Sequence, residues 1–354
     1  MSGGVDSSVA AYLMQQEGYQ CIGATMRLFD NETIGEDQQS TCCSLEDVED
    51  AASVARKLGI PFYVFNFQRD FHQNVIEKFI RCYECGQIPN PCIDCNRYLK
   101  FDRFLRRAME IECDCIVTGH YARIEKDQDS GRYLLFRAKD PHKDQSYVLY
   151  TLTQEQLAHI RFPLGEFSKD QIREIAAQQS FVNAKKHDSQ DICFVPDGDY
   201  RHFMERYTGK QYPGGDFLDL NNRVVGHHSG AVGYTIGQRK GLGLAMGSPV
   251  YVCAKDMERN TVTVGPNEAL FARQLMAVDW NWFPFPALSE PLKVMAKARY
   301  NQPPQPAVVY PEPDGKARVV FAEPQRALTP GQAVVLYDGE MVVGGGTITE
   351  VLRN

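Results

Sequence analysis

The segment Ser2-Gly3-Gly4-Val5-Asp6-Ser7 runs directly into an apolar repeat at Val5, Val9 and Leu13. That spacing reads as a helix over residues 5–17, stopped by Gly18. Two glycines ahead of a helix let the backbone approach an anion closely. The helix start adds unsatisfied N–H groups and the positive end of its dipole. Ser2, Ser7 and Ser8 supply hydroxyl donors, and Asp6 is placed to orient a magnesium ion. The Walker pattern GxxxxGK[ST] is absent, so this is a phosphate loop of another kind. The plainer alternative is a glycine-rich turn that only caps a helix.

Strand and helix patterns alternate after this loop. Residues 20–28 read as a strand, 45–58 as a helix opened by Ser44 and closed by Gly59, and 62–67 as a strand. Residues 71–82 and 98–109 read as helices, and 115–118 as a short apolar strand. Such alternation predicts a parallel α/β sheet. After about residue 200 glycine and proline become frequent and helical periods fade. Short strands then follow at 294–299, 307–310, 317–321, 333–336 and 341–343, with Asp338-Gly339 as a hairpin signal before the last. A small β-barrel closes strands of this kind. The expected organisation is an α/β domain over residues 1–200, a small central domain over 201–272 and a C-terminal barrel over 273–354.

No apolar run approaches the roughly 20 residues that cross a bilayer, and no basic segment followed by an apolar one opens the chain. The expectation is a cytoplasmic protein with no membrane partner. A net charge of −7 argues against nucleic acid, yet Lys100, Arg103, Arg106 and Arg107 cluster, as do Arg239 with Lys240 and Lys297 with Arg299. Any one such cluster also reads as a solvated face. Eleven cysteines in a cytosolic chain point to metal, redox or nucleophilic roles. Cys82, Cys85, Cys92 and Cys95 are spaced C-x2-C-x6-C-x2-C, which could hold zinc. Zinc leaves Cys193 unexplained.

Residues 2–7 match the SGGxDS pyrophosphate loop of the ATP pyrophosphatase superfamily, which cleaves ATP between the α and β phosphates. In that superfamily the loop follows the central strand of the sheet. Only Met1 precedes it here, so the expectation is a working protein that begins upstream, with about six to ten more residues forming that strand. Further segments in order are CCSLEDVEDA (42–51), NPCIDCNRYLKFD (90–102), TGHYAR (118–123), KDQSYVLY (143–150), AKKHDSQDICF (184–194), TIGQRKGLG (235–243), ARY (298–300) and TPGQAVVLYDGEMVVGGG (329–346). Together with SGGVDSS (2–8) they resemble the bacterial tRNA-specific 2-thiouridylases over nearly the whole length.

The resemblance implies an ATP-dependent exchange of the C2 oxygen of a wobble uridine for sulfur. Adenylation makes that oxygen leave as AMP, and a cysteine persulfide delivers sulfur as a strong nucleophile. It makes Cys193 the persulfide carrier and Cys95 its partner, joined in a transient disulfide. Met1, Ser2, Gly3, Gly4, Val5, Asp6 and Ser7, with Met26 and the backbone of Gly119, would hold ATP with its magnesium. Asn90, Pro91 and Cys92 would lie beside the target base, and Lys143, Asp144, Gln145, Arg299 and Tyr300 would touch the anticodon arm of tRNA. A sulfur relay protein or a cysteine desulfurase would supply the persulfide. Some family members carry Asp at the position of Cys92; here Cys92, Cys95 and Cys193 could instead ligate a [4Fe-4S] cluster.

Other features take plainer readings. His120 reads as a hydrogen-bonded strand-end histidine and Gly344-Gly345-Gly346 as a bulged strand; Trp280, Trp282, Phe283 and Phe285 could stack RNA bases but read as filling the barrel core or the interdomain seam. The rival functions are another SGGxDS enzyme that adenylates a small molecule, and a non-catalytic zinc protein that binds RNA.

Overall fold

The computed structural model describes residues 1–29, 45–186 and 192–353. Cys42, Cys43, Ser44 and residues 187–191 of the AKKHDSQDICF segment lie outside them. Contacts divide the chain into two units: residues 1–76, 91–198 and 340–343, and residues 77–90, 199–339 and 344–354.

In the first unit, the opening helix spans Val5–Gln16 and ends at Gly18, whose φ of +91° suits a residue without a Cβ. Strand β1 (Gly23–Arg27) pairs in parallel with β2 (Phe62–Asn66), joined through the helix Leu45–Leu58. Strand β3 (Ile116–Val117) pairs in parallel with β6 (Ile160–Arg161), while β4 (Ala122–Lys126) and β5 (Tyr133–Arg137) form an antiparallel hairpin. The parallel sheet is thus present as two short pairs. Met1 lies along β1: its amine donates to the Ala24 carbonyl and its own carbonyl accepts the Thr25 hydroxyl at 2.6 Å. Val5, Val9 and Ala10 of the opening helix are buried with Leu164, Phe181 and Ile172 and Ala176 of the helix Lys169–Gln178. The helical repeat at Val5 and Val9 therefore faces a helix and not only the sheet.

Among the described residues, His72–Ile76 and Cys95–Arg103 are π-helical, with i→i+5 bonding, and the second begins at Cys95.

The second unit holds two β systems. A four-stranded sheet is ordered β8 (Val224–His228), β7 (Gly215–Leu218), β10 (Thr261–Gly265) and β9 (Tyr251–Asp256). Six strands close a barrel: β11 (Phe271–Trp282), β14 (Ala317–Arg326), β13 (Gln305–Pro311), β12 (Leu292–Lys297), β15 (Ala333–Asp338) and β16 (Met341–Leu352), which returns to β11. The sequence reading did not single out β11, the longest strand with β16, because its mixed residues break strict alternation. Gly339, at φ +57°, turns β15 into β16 where Asp338-Gly339 predicts a hairpin.

The glycine run near the end has a steric cause. A Cβ at Gly344 would stand 2.4 Å from the Asn281 carbonyl oxygen, and one at Gly346 would stand 2.8 Å from the Trp280 indole. The two indoles stack at 4.8 Å, nearly parallel. The bulge sits on the facing strand, between Val278 and Asn281, with Asp279 at φ +54°.

Candidate active site at the first helix

Gly4 caps the opening helix with extended backbone and no side chain. Local side chains shape the turn. The Ser7 and Ser8 hydroxyls donate to the Gly4 carbonyl at 3.0 and 3.1 Å, and the Ser2 amide donates to the Ser7 hydroxyl at 3.0 Å. A helix start left without a side-chain cap presents its N–H groups to an anion.

The wall around this turn comes from distant chain. Gly3, at φ +73°, lies against Asp47. The Asn183 amide donates to the Gly3 carbonyl at 2.8 Å and to the Ser8 hydroxyl at 2.9 Å. Lys186 donates to Asp47 at 2.6 Å and Asp50 at 2.8 Å. Partial burial opposes its charge, but its hydrogen bonds to both carboxylates outweigh that, and the Lys186 pKa is raised. Gly119 closes the other side, since a Cβ there would fall 2.8 Å from the Asp6 carbonyl carbon and the Ser7 nitrogen. Loop, Gly119 and the helix Leu45–Leu58 thus meet at the helix start. Met26 is the penultimate residue of β1 and is half-buried.

Asp6 is tied inward. Buried Lys169 reaches both its oxygens at 2.7 and 2.8 Å, and the Tyr121 hydroxyl donates to one at 2.8 Å. Lys169 holds the first position of a helix capped by Ser168, whose hydroxyl accepts from Gln171 while Gln171 accepts from the Ser168 amide. A magnesium ion on Asp6 would compete with an ammonium for the same oxygens. The carboxylate as placed does not fit a metal ligand.

His120 is buried, 2.7 Å from the Thr118 hydroxyl through Nδ1, with Phe101 and Phe162 against its ring. Burial, with Lys100 nearby, holds its pKa well below the ordinary value, so the ring is neutral.

Cys95 and Cys193 are both half-buried thiols of the first unit, and Cys92 is exposed. The neighbour of each is anchored. The buried Asn96 amide donates to the Val148 carbonyl at 3.0 Å, and buried Phe194 meets Phe71 edge-on at 5.7 Å. Cys82 and Cys85 belong to the second unit, and so does Asn90, while Pro91 and Cys92 belong to the first. Among the described residues no three His, Cys, Asp or Glu side chains gather to hold a metal ion.

The residues assigned to tRNA divide by exposure. The Asp144 carboxylate is buried and accepts from Arg137, the Ala138 amide, and the Ser146 amide and hydroxyl at 3.0–3.2 Å. Gln145 exchanges hydrogen bonds with the Tyr121 backbone at 2.9 and 3.0 Å. Both side chains hold the turn, and Lys143 beside them is half-buried. The Arg299 guanidinium donates to the carbonyls of Ala327 and Ile236 and to the Thr329 hydroxyl. Tyr300 is exposed, with the Lys297 ammonium 5.4 Å from its ring centre.

Lys169, Asn183, Asp47 and Tyr121 complete the site and were not singled out by sequence. Tyr121 lies within the TGHYAR segment. Lys169 carried no local signal beyond the Ser168–Gln171 cap that orients it.

Three protein-family models match the chain in succession. The tRNA methyl transferase HUP domain covers residues 1–197, the tRNA methyl transferase PRC-barrel domain 201–266, and the aminomethyltransferase beta-barrel domain 272–348. A Clostridioides difficile protein named tRNA-specific 2-thiouridylase MnmA is 49% identical over 352 residues, covering 99% of this chain and 97% of its own. Proteins of the same name from Heliobacterium modesticaldum and Symbiobacterium thermophilum are 52% and 51% identical, covering 99% and 100% of this chain and 92% of each of theirs.

Proposed function

Because the chain belongs to the tRNA-specific 2-thiouridylase family, we propose that it is a tRNA-uridine 2-sulfurtransferase, using ATP to replace the C2 oxygen of a wobble uridine with sulfur. The observation that carries this reading is end-to-end identity of about half with relatives of one name, coupled to a glycine loop whose helix start is open to phosphate. Two family models carry methyl transferase in their descriptions. A methyl transfer has no use for a pyrophosphate loop or a cysteine pair, and the sulfur reaction uses both.

In the proposed reaction the loop holds the triphosphate while the uridine C2 oxygen attacks the α phosphorus and pyrophosphate leaves. The Cys95 thiolate then attacks the inner sulfur of a Cys193 persulfide. A Cys95–Cys193 disulfide forms, and hydrosulfide leaves with the electron pair of the broken S–S bond. Hydrosulfide adds to C2, and AMP departs with the former C2 oxygen. Two electrons from a thiol reductant reset the disulfide. A sulfur relay protein or cysteine desulfurase restores the persulfide, and the reaction takes place in the cytoplasm on the anticodon arm. The two thiols account for every step without an iron–sulfur cluster. Magnesium enters with ATP as its phosphate counter-ion, with Lys169 rather than the metal on Asp6. No helix among the described residues is long and apolar enough to cross a membrane.

The test supplies purified protein with Mg-ATP, a persulfide donor and unmodified tRNA. The expected products are 2-thiouridine and AMP in equal amounts, with pyrophosphate released only when tRNA is present. Pyrophosphate release that ignores tRNA would return the protein to the small-molecule adenylating enzymes.

A further inference from the structure

An acidic residue in the first turn of a phosphate-binding helix presents a difficulty. Asp6 places a negative charge beside the groups that would receive a triphosphate, where like charges repel. The usual resolution makes such a carboxylate a metal ligand. The geometry here is different, because both Asp6 oxygens already accept from the Lys169 ammonium and one also from Tyr121. The Lys169 side chain is 8% exposed, and its ammonium lies 5.8 Å from the Tyr121 ring centre. The pair joins the first helix to the helix Lys169–Gln178 and to the segment containing Gly119, whose missing Cβ permits contact with Asp6 and Ser7.

We propose that Lys169 is a positioning residue for the ATP phosphates, acting through Asp6 as its fixed counter-ion. It cancels the carboxylate charge, so that the helix start remains attractive to the triphosphate, and it draws the loop against Gly119. The role of Asp6 is then to anchor the loop. This inference rests on the ATP-dependent reading of the site.

Charge compensation and metal ligation respond differently to substitution at the pair. Removing the ammonium alone leaves an uncompensated carboxylate facing the phosphates. Removing both charges together leaves a neutral loop. A metal-ligand role predicts the opposite order, because any variant without the carboxylate then loses the metal.

The experiment measures Mg-ATP binding by calorimetry without tRNA, and the ATP dependence of 2-thiouridine formation with tRNA. Lys169→Met is expected to weaken ATP binding by about tenfold or more, the scale of one charge-assisted interaction near a buried site. The double variant Asp6→Asn/Lys169→Met should recover to within about threefold of the native protein, and Lys169→Arg should stay in that range. In turnover, Lys169→Met should raise the ATP KM and leave kcat at saturating ATP within about threefold. Should Lys169→Met melt early, the double variant, which leaves no buried charge unpaired, still decides. Native-like binding by Lys169→Met overturns the proposal, as does a double variant that binds more weakly than Lys169→Met. Failure of the native protein to bind Mg-ATP would instead remove the ATP-dependent reading, and this inference with it.

Discussion

Gly3 lies so close to Asp47 that a methyl group added at its Cα would stand 2.4 Å from the Asp47 carbonyl oxygen. With φ at +73°, the position is closed to side chains by its backbone as well as by its neighbour. Gly3→Ala should therefore cost about 1–3 kcal/mol of stability and push the helix Leu45–Leu58 away from the loop. Denaturant melts and Mg-ATP titration check this. A variant with native stability and native ATP affinity would mean the contact with Asp47 is dispensable.

Cys95→Ser and Cys193→Ser should each abolish 2-thiouridine formation while leaving tRNA affinity nearly native. The two should differ in what they accumulate. Cys95→Ser retains the proposed carrier and should hold a persulfide on Cys193, detectable by mass as one added sulfur. Cys193→Ser should hold none at that position. Substantial thiolation by either variant would sink the assignment.

On the barrel, stability and RNA affinity should separate between adjacent residues. Arg299 binds two carbonyls and a hydroxyl within its own unit, so Arg299→Ala should lower stability by about 1–3 kcal/mol. Tyr300 is exposed beside Lys297, and Tyr300→Ala should weaken tRNA binding without moving the melt. Binding overall should fall steeply with salt as phosphate contacts release counterions, despite a net charge of −7. A salt-independent affinity would argue against phosphate contacts.

Lys255 gives a prediction in pH. Its ammonium nitrogen is buried with no hydrogen-bond partner among the described residues, 5.8 Å from the Tyr83 ring centre. Burial pushes its pKa down to about 8 from 10.5. Between those values the unfolded chain binds more protons than the folded one, so stability rises with pH through this window. Below it both states carry the charge, and the folded state bears the full burial cost. Lys255→Met should accordingly stabilise the protein at neutral pH by on the order of 1–3 kcal/mol, with the gain fading by about pH 10. Melts at the two pH values provide the measurement, and an equal gain at both would remove the titration as its cause.

What sequence could reveal depended on whether the cause was local. The first helix, the helix Leu45–Leu58 and the turn at Gly339 follow from periodicity and from residues that tolerate positive φ. Strand β11 escaped because its 12 residues combine a bulge with a polar stretch, and its place is fixed by β14 and β16 on either side. Within the site, Gly3, Gly4 and Asp6 were legible as a motif. Lys169 and Asn183 were not, since each reaches the loop across more than 160 residues of sequence and no nearby pattern marks it. Asp144 and Gln145 were legible only as part of a shared motif, because the groups they hold, the Ala138 and Ser146 amides and the Tyr121 amide, are fixed by the fold of the turn.

The π-helical segment Cys95–Arg103 constrains the family of sequences this protein can tolerate. Each residue removed from a helix rotates all that follows by about 100° relative to what came before. A single deletion after Cys95 would let this stretch relax toward ordinary helical winding. It would also swing Leu99 and Phe101, both wholly buried, away from the core that holds them. Substitutions along the segment can be absorbed one side chain at a time. A change in its length cannot, so the spacing between Cys95 and the buried residues behind it should drift far less than their identities.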